Sequence, residues 1–311
     1  MDILIMGAGA MGTAIGGFMA LNGHNITLVG REKTVAAIKS KGLHITGIWG
    51  DHHVNTLSVV ADIKEIASQK YELIIVAVKS YDTETSAQIL APCVDADTFI
   101  CSYQNGLGNA EILAAHYGWQ QVVGARVIFG ARVNTPGTVE ITVIAAPTAI
   151  GAYQEGAPKE KAKEIATLMD ESGIPTCYTD KIQTILWNKV AYNCALNPLS
   201  ALLDVPYGRL AEEDYTRSIM EAVIRELYAV GTAMDIPLDP PDADAYIKKF
   251  YEKLLPPTAA HYASMREDLK NQRRTEIDAL NGGIVQFGRE HGIPCPANAL
   301  LTALVHAREK K

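Results

Sequence analysis

One segment of the chain, Trp187 to Pro198, places a lysine and two asparagines at helical spacing inside an otherwise apolar stretch. Lys189, Asn193 and Asn197 are four residues apart, so on an α-helix they form a single stripe about 12 Å long. An ammonium group can deliver a proton to a reacting oxygen, and amides can bind a polar substrate. Asparagine is a poor helix former, which favours a functional stripe. A solvated or structurally hydrogen-bonded stripe is the alternative.

The stripe lies at the start of a helical region. From Asp180 onward helical periodicity dominates and strand patterns disappear. Pro198 lacks an N–H and crowds the preceding turn, so we expect the first helix to kink or end near Asn197. The candidate helices cover residues 181–196, 207–234, 242–253, 264–274, 276–291 and 297–308.

The amino-terminal half has the alternating strand and helix pattern of a dinucleotide-binding α/β fold. An apolar run ends at Met6, and a helical stretch follows the sequence "GAGAMG". In this context the first glycine permits a tight turn, the second lets a diphosphate approach the backbone, and the third lets the helix pack on the strand. Amides at the helix start then face the anion. The predicted cofactor-binding loop consists of Gly7, Ala8, Gly9, Ala10, Met11 and Gly12.

Arg31 ends the second strand of this pattern. An NAD site usually has an acidic residue there, which accepts hydrogen bonds from the ribose, whereas an arginine suits the 2′-phosphate of NADP. We therefore favour NADP(H) as the cofactor. The alternative is that Arg31 is a solvated loop charge and that Glu32 accepts from the ribose.

Two polar residues follow later strands of the same half. Lys79 and Asn105 come just after the carboxyl ends of predicted strands, the edge at which open α/β sheets bind ligands. Asn105 and Gly106 are equally well explained as an ordinary turn. Further strands in a partly antiparallel region, a helix over 158–171 and a last strand complete this half. We assign residues 1–179 to a Rossmann-like NADP-binding domain and residues 180–311 to a helical substrate-binding and catalytic domain.

Composition and charge exclude several classes of protein. The net charge is −7 and the longest basic runs are pairs, which argues against a nucleic-acid binder. The five cysteines include no C-x-x-C pair, so we expect no metal site and a reducing cytoplasmic location.

The run from Ile3 to Gly30 contains no charged residue, which raises the question of a membrane segment. Glycines, Asn22, His24 and Asn25 interrupt the run, and no basic region precedes it. Its pattern also divides into strand, turn and helix. We therefore expect no membrane partner.

Four motifs occur in order: "GAGAMG", "QNGLG" at 104–108, "WNKVAYNCALNPLSALL" at 187–203 and "SMREDLKNQRRTEIDALNGGIVQFGREHGIPCPANALL" at 264–301. Together they resemble the ketopantoate reductase family, the 2-dehydropantoate 2-reductases. The resemblance covers essentially the whole chain, although the first motif is shared by many dehydrogenases. It implies a Rossmann-type domain followed by an all-helical domain. It also implies NADPH-dependent reduction of 2-dehydropantoate to (R)-pantoate, on the pantothenate and coenzyme A pathway.

The resemblance also implies roles for individual residues. Lys189 matches the general acid, and Asn105 matches a residue between nicotinamide and substrate. Lys79 and Ala131 match cofactor contacts, and Glu276 matches a contact with the substrate or the cofactor ribose. The residues that match substrate contacts are Asn105, Lys189, Asn193, Asn197, Ser264 and Glu276.

The spacing between Ser264 and Glu276 restricts these roles. The two residues are 12 positions apart, which corresponds to roughly 18 Å along a straight helix. A small substrate cannot touch both ends of such a helix, so we predict a break in the chain near 272–275. Thr275 is also a candidate N-cap of the following helix, which would give the "RRTEID" motif a structural purpose.

Two departures from the family pattern leave the substrate open. Arg126 and Val127 stand where many members have a threonine pair, and Tyr207 stands where many have asparagine. The lysine and the paired asparagines are intact, so the reaction class stands. The rival interpretations are a reductase of another 2-oxo acid or β-hydroxy acid and a non-enzymatic NADP-binding sensor. The helical domain has apolar faces that would suit a homodimer.

Overall fold

The structure is a computed structural model that describes residues 1–153 and 157–310. The chain forms two compact units. The first contains Met1–Asn105 and Asn109–Ile182, and the second contains Gly106–Gly108 and the residues from Gln183 onward. The first is an α/β unit of Rossmann type and the second is helical, so the predicted fold class is confirmed.

The strands of the first unit form two sheets. Their bounds are β1 (Asp2–Met6), β2 (Asn25–Val29), β3 (Leu43–Gly47), β4 (His52–Val54), β5 (Ser58–Val60), β6 (Leu73–Val76), β7 (Phe99–Ser102), β8 (Val122–Arg126), β9 (Phe129–Thr135), β10 (Thr138–Ile144), β11 (Thr148–Ala152) and β12 (Thr176–Tyr178). The large sheet has the order β12-β11-β8-β7-β6-β1-β2-β5. From β5 to β8 its strands are parallel, and β11 is antiparallel to β8.

Helices cover both faces of the large sheet. They are α1 (Ala10–Leu21), α2 (Glu32–Lys41), α3 (Thr83–Leu90), α4 (Asn109–Tyr117) and α5 (Lys159–Glu171). Ile3 and Ile5 pack in one core cluster with side chains of α1 and α5, whereas Leu4 and Met6 pack in another with side chains of α3 and α4. This alternation explains why β1 reads as a continuous apolar run, as expected for a parallel strand buried on both faces.

The smaller sheet has the order β4-β3-β10-β9. Sequence analysis anticipated the strands of β9 and β10 but not the hairpin of β3 and β4. The hairpin is anchored by Trp49, whose ring lies 5.5 Å from that of Phe18 in α1 and 4.8 Å from that of Phe129 in β9.

The second unit is built from helices. They are α6 (Ile182–Leu203), α7 (Tyr207–Leu210), α8 (Asp214–Ala233), α9 (Ala243–Lys249), α10 (Ser264–Lys270), α11 (Asn281–Glu290) and α12 (Pro296–Glu309). The single helix predicted over 207–234 is interrupted between α7 and α8, and that predicted over 242–253 ends as a π-helical turn at Phe250–Leu254. None of the described helices is long and apolar enough to span a membrane.

Two predictions about chain breaks have different outcomes. The break between Ser264 and Glu276 is confirmed: α10 ends at Lys270, Gln272 has φ of 52°, and a 3₁₀ turn at Ile277–Ala279 precedes α11. The prediction was that α6 kinks or ends near Asn197, and an end there is wrong, because the helix continues through Pro198 to Leu203.

Candidate active site

The glycine-rich loop joins β1 to α1, and close backbone contacts leave no space for a side chain at two of its glycines. Gly7 has φ of +115°, and a Cβ there would lie 2.9 Å from the carbonyl carbon of Ala77. A Cβ on Gly12 would lie 2.0 Å from the Gly7 oxygen. These two positions therefore require glycine, for a turn and for helix packing as the motif predicted.

Gly9 differs from these two glycines because a Cβ there would meet no atom of the described residues within 4 Å. The protein itself leaves this space open beside the first turn of α1. That turn carries no acidic side chain, and no side chain caps it. A helix start without a capping side chain, an open approach and no competing negative charge are what a diphosphate group requires. The loop residues thus fit the dinucleotide that their sequence predicts.

Arg31 lies beside this loop. It is exposed and forms the N-cap of α2, immediately after Gly30. A Cβ on Gly30 would lie 2.3 Å from Ala8 Cβ, so the backbone before Arg31 passes directly against the loop. Glu32, the first residue of α2, is also exposed. Both the 2′-phosphate and the ribose interpretations are therefore compatible with this position.

Lys79 and Asn105 follow the carboxyl ends of neighbouring parallel strands. Met6 of β1 pairs with Val76 of β6, which pairs with Ser102 of β7. The strand ends are thus in register, and the glycine-rich loop, Lys79 and Asn105 share one edge of the large sheet. Lys79 is half-buried and Asn105 is exposed.

A buried polar network holds these two loops together, and sequence analysis missed it. Gln104 Nε2 donates to Val78 O (3.1 Å) and to Thr83 Oγ1 (2.7 Å), and Thr83 Oγ1 lies 2.8 Å from Asn109 Oδ1. Asn109 Nδ2 in turn donates to Asn105 O (2.9 Å). Unpaired polar groups are costly to bury, so this closed network fixes the backbone around Lys79 and Asn105. The only indication of this network in the sequence is that polar residues, among them Gln104 and Asn109, follow the apolar strand β7.

Ala131 lies in β9, opposite Ile141 of β10. It packs against the same core cluster as Ala8, Ala10 and Met11 of the glycine-rich loop. The loop and this part of the smaller sheet therefore pack against the same hydrophobic core cluster. Ala131 accordingly lies on the side of the large sheet that α1 covers.

The polar stripe of α6 runs from half-buried at Lys189 to buried at Asn197. Lys189 and Asn193 are half-buried, and Asn197 is only 7% exposed. Val190 and Cys194 point into the core of the second unit. The apolar faces of α6 fix the helix, and this fixes the direction of the polar face.

Pro198 leaves a carbonyl of α6 without its usual helical donor, because proline has no N–H to offer Cys194 O. Asn281 Nδ2 donates to this oxygen instead, at 3.1 Å. The Asn281 side chain is fully buried and also donates to Asn298 Oδ1 (3.0 Å). A side chain from α11 thus replaces the missing helical bond and allows α6 to continue.

Asn197 is fixed from its other side by Tyr207. The Tyr207 hydroxyl donates to Asn197 Oδ1 at 2.7 Å. Burial raises the pKa of Tyr207, so its hydroxyl keeps the proton that it donates. The oxygen and nitrogen of a carboxamide lie on opposite sides of the side-chain axis, and this bond therefore sets the direction of the Asn197 N–H donors. The residue that departs from the family pattern contacts a candidate substrate-binding residue directly.

Ser264 and Glu276 lie on either side of the chain break in the second unit. Ser264 is the exposed first residue of α10, and Ala263 N of the preceding residue donates to Ser200 Oγ in α6 (3.3 Å). Glu276 is half-buried and precedes the 3₁₀ turn. Thr275 Oγ1 accepts from Ile277 N (3.3 Å). Thr275 is nevertheless not the N-cap that the sequence predicted, because Glu276 is the N-cap of the 3₁₀ turn and Leu280 is that of α11.

The chain does turn after Asn105, as one of the two interpretations expected. Gly106 has φ of +89°, and a Cβ there would lie 2.5 Å from Ala279 O. Leu107 N donates to the same oxygen at 2.8 Å. A glycine is required here because the backbone meets the turn that follows Glu276.

Arg126, another departure from the family pattern, ends β8 at the carboxyl edge of its parallel pairing with β7. Its Nε is buried and has no hydrogen-bond partner among the described residues. Burial lowers the pKa of its guanidinium.

A separate surface groove of about 770 Å³ is lined by residues of α2 and β5 and their neighbours, and none of the predicted site residues lines it.

Comparisons with known proteins agree over both halves of the chain. The family model "Ketopantoate reductase PanE/ApbA" matches residues 3–155, and "Ketopantoate reductase PanE/ApbA C terminal" matches residues 181–309. A 2-dehydropantoate 2-reductase of Aquifex aeolicus (strain VF5) is 41% identical over 311 residues, which cover 99% of this chain and 97% of that protein.

Solved structures agree as well. A PanE/ApbA family ketopantoate reductase from Ralstonia eutropha JMP134 superposes with a TM-score of 0.88 at 33% identity, covering 100% of this chain and 99% of that one. A D-mandelate dehydrogenase in complex with NADH and anilino(oxo)acetate has a TM-score of 0.88 at 27% identity, covering 100% and 98%. The chain belongs to the ketopantoate reductase family.

Proposed function

We propose that this protein reduces the ketone of 2-dehydropantoate to (R)-pantoate with NADPH, on the route to pantothenate. The observation that carries the proposal is the stripe of Lys189, Asn193 and Asn197, held half-buried to buried on one face of α6. The curated relative of 41% identity, a 2-dehydropantoate 2-reductase, supports the same substrate.

The chemistry requires a hydride at the ketone carbon and a proton at the ketone oxygen. The reduced nicotinamide supplies the hydride when it is bound. Lys189 Nζ stabilises the negative charge that develops on the oxygen and donates the proton, so the products are an alcohol and a neutral amine that solvent reprotonates. A lysine without neighbouring donors would perform only part of this task, because the substrate must also be oriented.

The remaining polar groups suit the other atoms of the substrate. Asn193 and Asn197 offer N–H donors for the carboxylate, and the Tyr207 bond determines how the Asn197 donors face. Ser264 offers a hydroxyl. Glu276, which accepts hydrogen bonds when ionised, is assigned to the terminal hydroxyl of the substrate or to the cofactor ribose.

The cofactor residues are proposed from the first unit. The glycine-rich loop receives the diphosphate, and Arg31 receives the 2′-phosphate. Lys79, Asn105 and Ala131 line the remaining approach from the sheet edge and from β9. Supporting observations are the open space at Gly9 and the absence of an acidic residue in the first turn of α1.

A second candidate is an NAD(P)H-dependent reductase of another 2-oxo acid. It is favoured by Tyr207 and Arg126, which differ from the family pattern, and by the similarity to a D-mandelate dehydrogenase solved with NADH.

Three further predictions from the sequence stay predictions: the domain division at residue 180, a cytoplasmic location and a homodimer.

A substrate panel separates the two candidates. Initial rates would be measured with NADPH and with NADH for 2-dehydropantoate, 2-oxoisovalerate and phenylglyoxylate, and the chirality of any pantoate formed would be determined. We expect the highest kcat/KM for 2-dehydropantoate with NADPH and an (R) product. Turnover of another acid without turnover of 2-dehydropantoate would replace the first candidate with the second.

A further inference from the structure

We propose that the hairpin of β3 and β4 binds one divalent transition-metal ion, such as Zn²⁺, through His44, Asp51 and His53. This site lies in the smaller sheet of the first unit and is separate from the reductase residues. The cysteine spacing that predicted no metal site does not bear on it, because no cysteine takes part.

Strand pairing brings the two histidines together. His44 of β3 and His53 of β4 are directly opposite partners in the antiparallel ladder. Directly opposite residues project from the same face of the sheet. Their rings stack with centroids 4.1 Å apart and an interplanar angle of 9°. The two imidazoles therefore present their nitrogens side by side.

Asp51 adds a carboxylate from the connection between the strands. Its Oδ1 lies 3.0 Å from His44 Nε2 and 3.9 Å from His53 Nε2. The candidate ligand atoms of the three residues all lie within 4.8 Å of one another. Zn²⁺ bonds of about 2.0–2.2 Å place tetrahedral ligand atoms roughly 3.3 Å apart. Small rotations of the side chains bring these atoms to one ion, and water completes its coordination.

The donor set selects the class of ion. Two imidazole nitrogens and one carboxylate oxygen suit Zn²⁺, Ni²⁺ and Cu²⁺, whereas Mg²⁺ and Ca²⁺ prefer sites made entirely of oxygen. The side chains of Asp51 and His53 are 70% and 65% exposed. An ion can therefore enter from solvent without any opening of the fold.

The backbone beneath the site is held in place. His52 points to the opposite face of β4, where its Nε2 lies 2.8 Å from Trp49 O and its ring packs 5.3 Å from Phe18. Trp49 packs between α1 and β9. Only side chains need to adjust on binding, which keeps the entropic cost low. A bound ion would join β3 to β4 and stabilise the folded first unit by mass action.

The test is a titration of the full-length, metal-stripped protein with ZnCl₂, followed by calorimetry, with MgCl₂ as the negative control. We expect a single saturable Zn²⁺ site per chain and a rise in Tm with Zn²⁺. His53→Ala and Asp51→Asn remove exposed ligands, so both variants should fold, and each should weaken binding by about tenfold or more, which corresponds to roughly 1.4 kcal/mol.

A matched control is available in the same unit. His116 Nε2 lies 3.0 Å from Glu84 Oε1, the same separation as in the His44–Asp51 pair, but this pair is not part of the three-ligand cluster. His116→Ala should leave Zn²⁺ binding unchanged, and so should Cys177→Ser, which removes the exposed thiol. The proposal is overturned if the wild type shows no saturable Zn²⁺ site, or if His53→Ala binds as the wild type does.

Discussion

The glycine-rich loop of the first unit and the polar stripe of the second unit are built in different ways. In the loop the backbone forms the proposed cofactor site, and side chains matter mainly by their absence, as at Gly7 and Gly12. On α6 the side chains form the proposed substrate site, and the other faces of the helix fill the core. The loop depends on space left open for the ligand, and the α6 stripe depends on the orientation of its side chains.

This difference decides which substitutions are informative. A backbone site is disturbed by any added atom in the space meant for the ligand. A side-chain site is disturbed by loss of one functional group or of the neighbour that orients it. The following predictions test these two expectations in order of decreasing effect.

Lys189→Met should have the largest effect, because it removes the proton donor and keeps most of the apolar stem. Loss of general-acid catalysis is worth about 10²–10⁴ in rate, so we expect a fall in kcat of that order with unchanged NADPH affinity. Lys181→Met is the control, since Lys181 is an exposed lysine just before α6. Near wild-type turnover by Lys189→Met would remove the lysine from the mechanism.

Arg31→Asp should change cofactor preference. Losing a charge-assisted hydrogen bond to the 2′-phosphate costs about 1.5–3 kcal/mol, so NADPH binding should weaken by roughly 10- to 100-fold. NADH affinity should stay the same or improve. Dissociation constants for both cofactors, measured by fluorescence titration, check this. If the preference does not change while Glu32→Ala weakens binding of both cofactors, Glu32 is the ribose acceptor.

Gly9→Ala tests the loop without disturbing the fold. Within the part of the chain that the structure describes, its Cβ would meet no atom within 4 Å, and the φ of −80° at Gly9 suits alanine. The Tm should therefore match that of the wild type. If a diphosphate occupies the open space, NADPH affinity should fall by about tenfold, equivalent to roughly 1.4 kcal/mol. Unchanged affinity at unchanged Tm would place the diphosphate elsewhere.

Tyr207→Phe tests orientation on α6. It removes the hydroxyl that donates to Asn197 Oδ1 and keeps the ring. A typical hydrogen bond contributes about 0.5–1.5 kcal/mol, so KM for the keto acid should rise by roughly two- to tenfold. KM for NADPH should not change, which distinguishes lost orientation from general damage. Equal increases in both constants would contradict a role confined to the substrate.

The smallest effect concerns pH and stability near Glu276. His306 Nδ1 lies 2.9 Å from Glu309 Oε2 and its Nε2 lies 2.8 Å from Asp278 Oδ1. Only the imidazolium donates from both nitrogens, and these bonds raise the pKa of His306 above its ordinary value of 6.5. A raised folded-state pKa stabilises the protein below the unfolded-state pKa, and this contribution is lost as pH rises through the folded-state value.

We therefore expect the Tm of the wild type to fall, relative to that of His306→Gln, as pH increases from about 6 to 8.5. Thermal unfolding of both proteins across this range is the measurement. Parallel Tm curves would show that the carboxylates of Glu309 and Asp278 do not raise the pKa of His306 on folding.

Local spacing in the sequence identified both the loop and the stripe as candidate sites. Gly7, Gly9 and Gly12 lie within one short motif, and Lys189, Asn193 and Asn197 lie four residues apart. The neighbours that hold the α6 stripe and its helix in place are distant in sequence, and helical periodicity carries no information about them.

Asn281 and the β3–β4 hairpin illustrate the same limit. A kink or end of α6 was predicted near Asn197, because the sequence does not show that Asn281, far along the chain, donates to the Cys194 carbonyl that Pro198 leaves without a helical donor. The hairpin was missed because its short strands have little pattern, and the pairing of His44 with His53 exists only after the strands align. The break after α10 was predicted because a continuous helix would separate Ser264 from Glu276 by roughly 18 Å, too far for one small substrate to contact both.

The most direct test of the central claim is a crystal structure with NADP⁺ and 2-dehydropantoate, a pair that cannot turn over. The account predicts Lys189 Nζ at about 3 Å from the ketone oxygen, with Asn193 and Asn197 donating to the substrate and the diphosphate beside Gly9. A ketone oxygen held by other groups, with Lys189 out of reach, would contradict it.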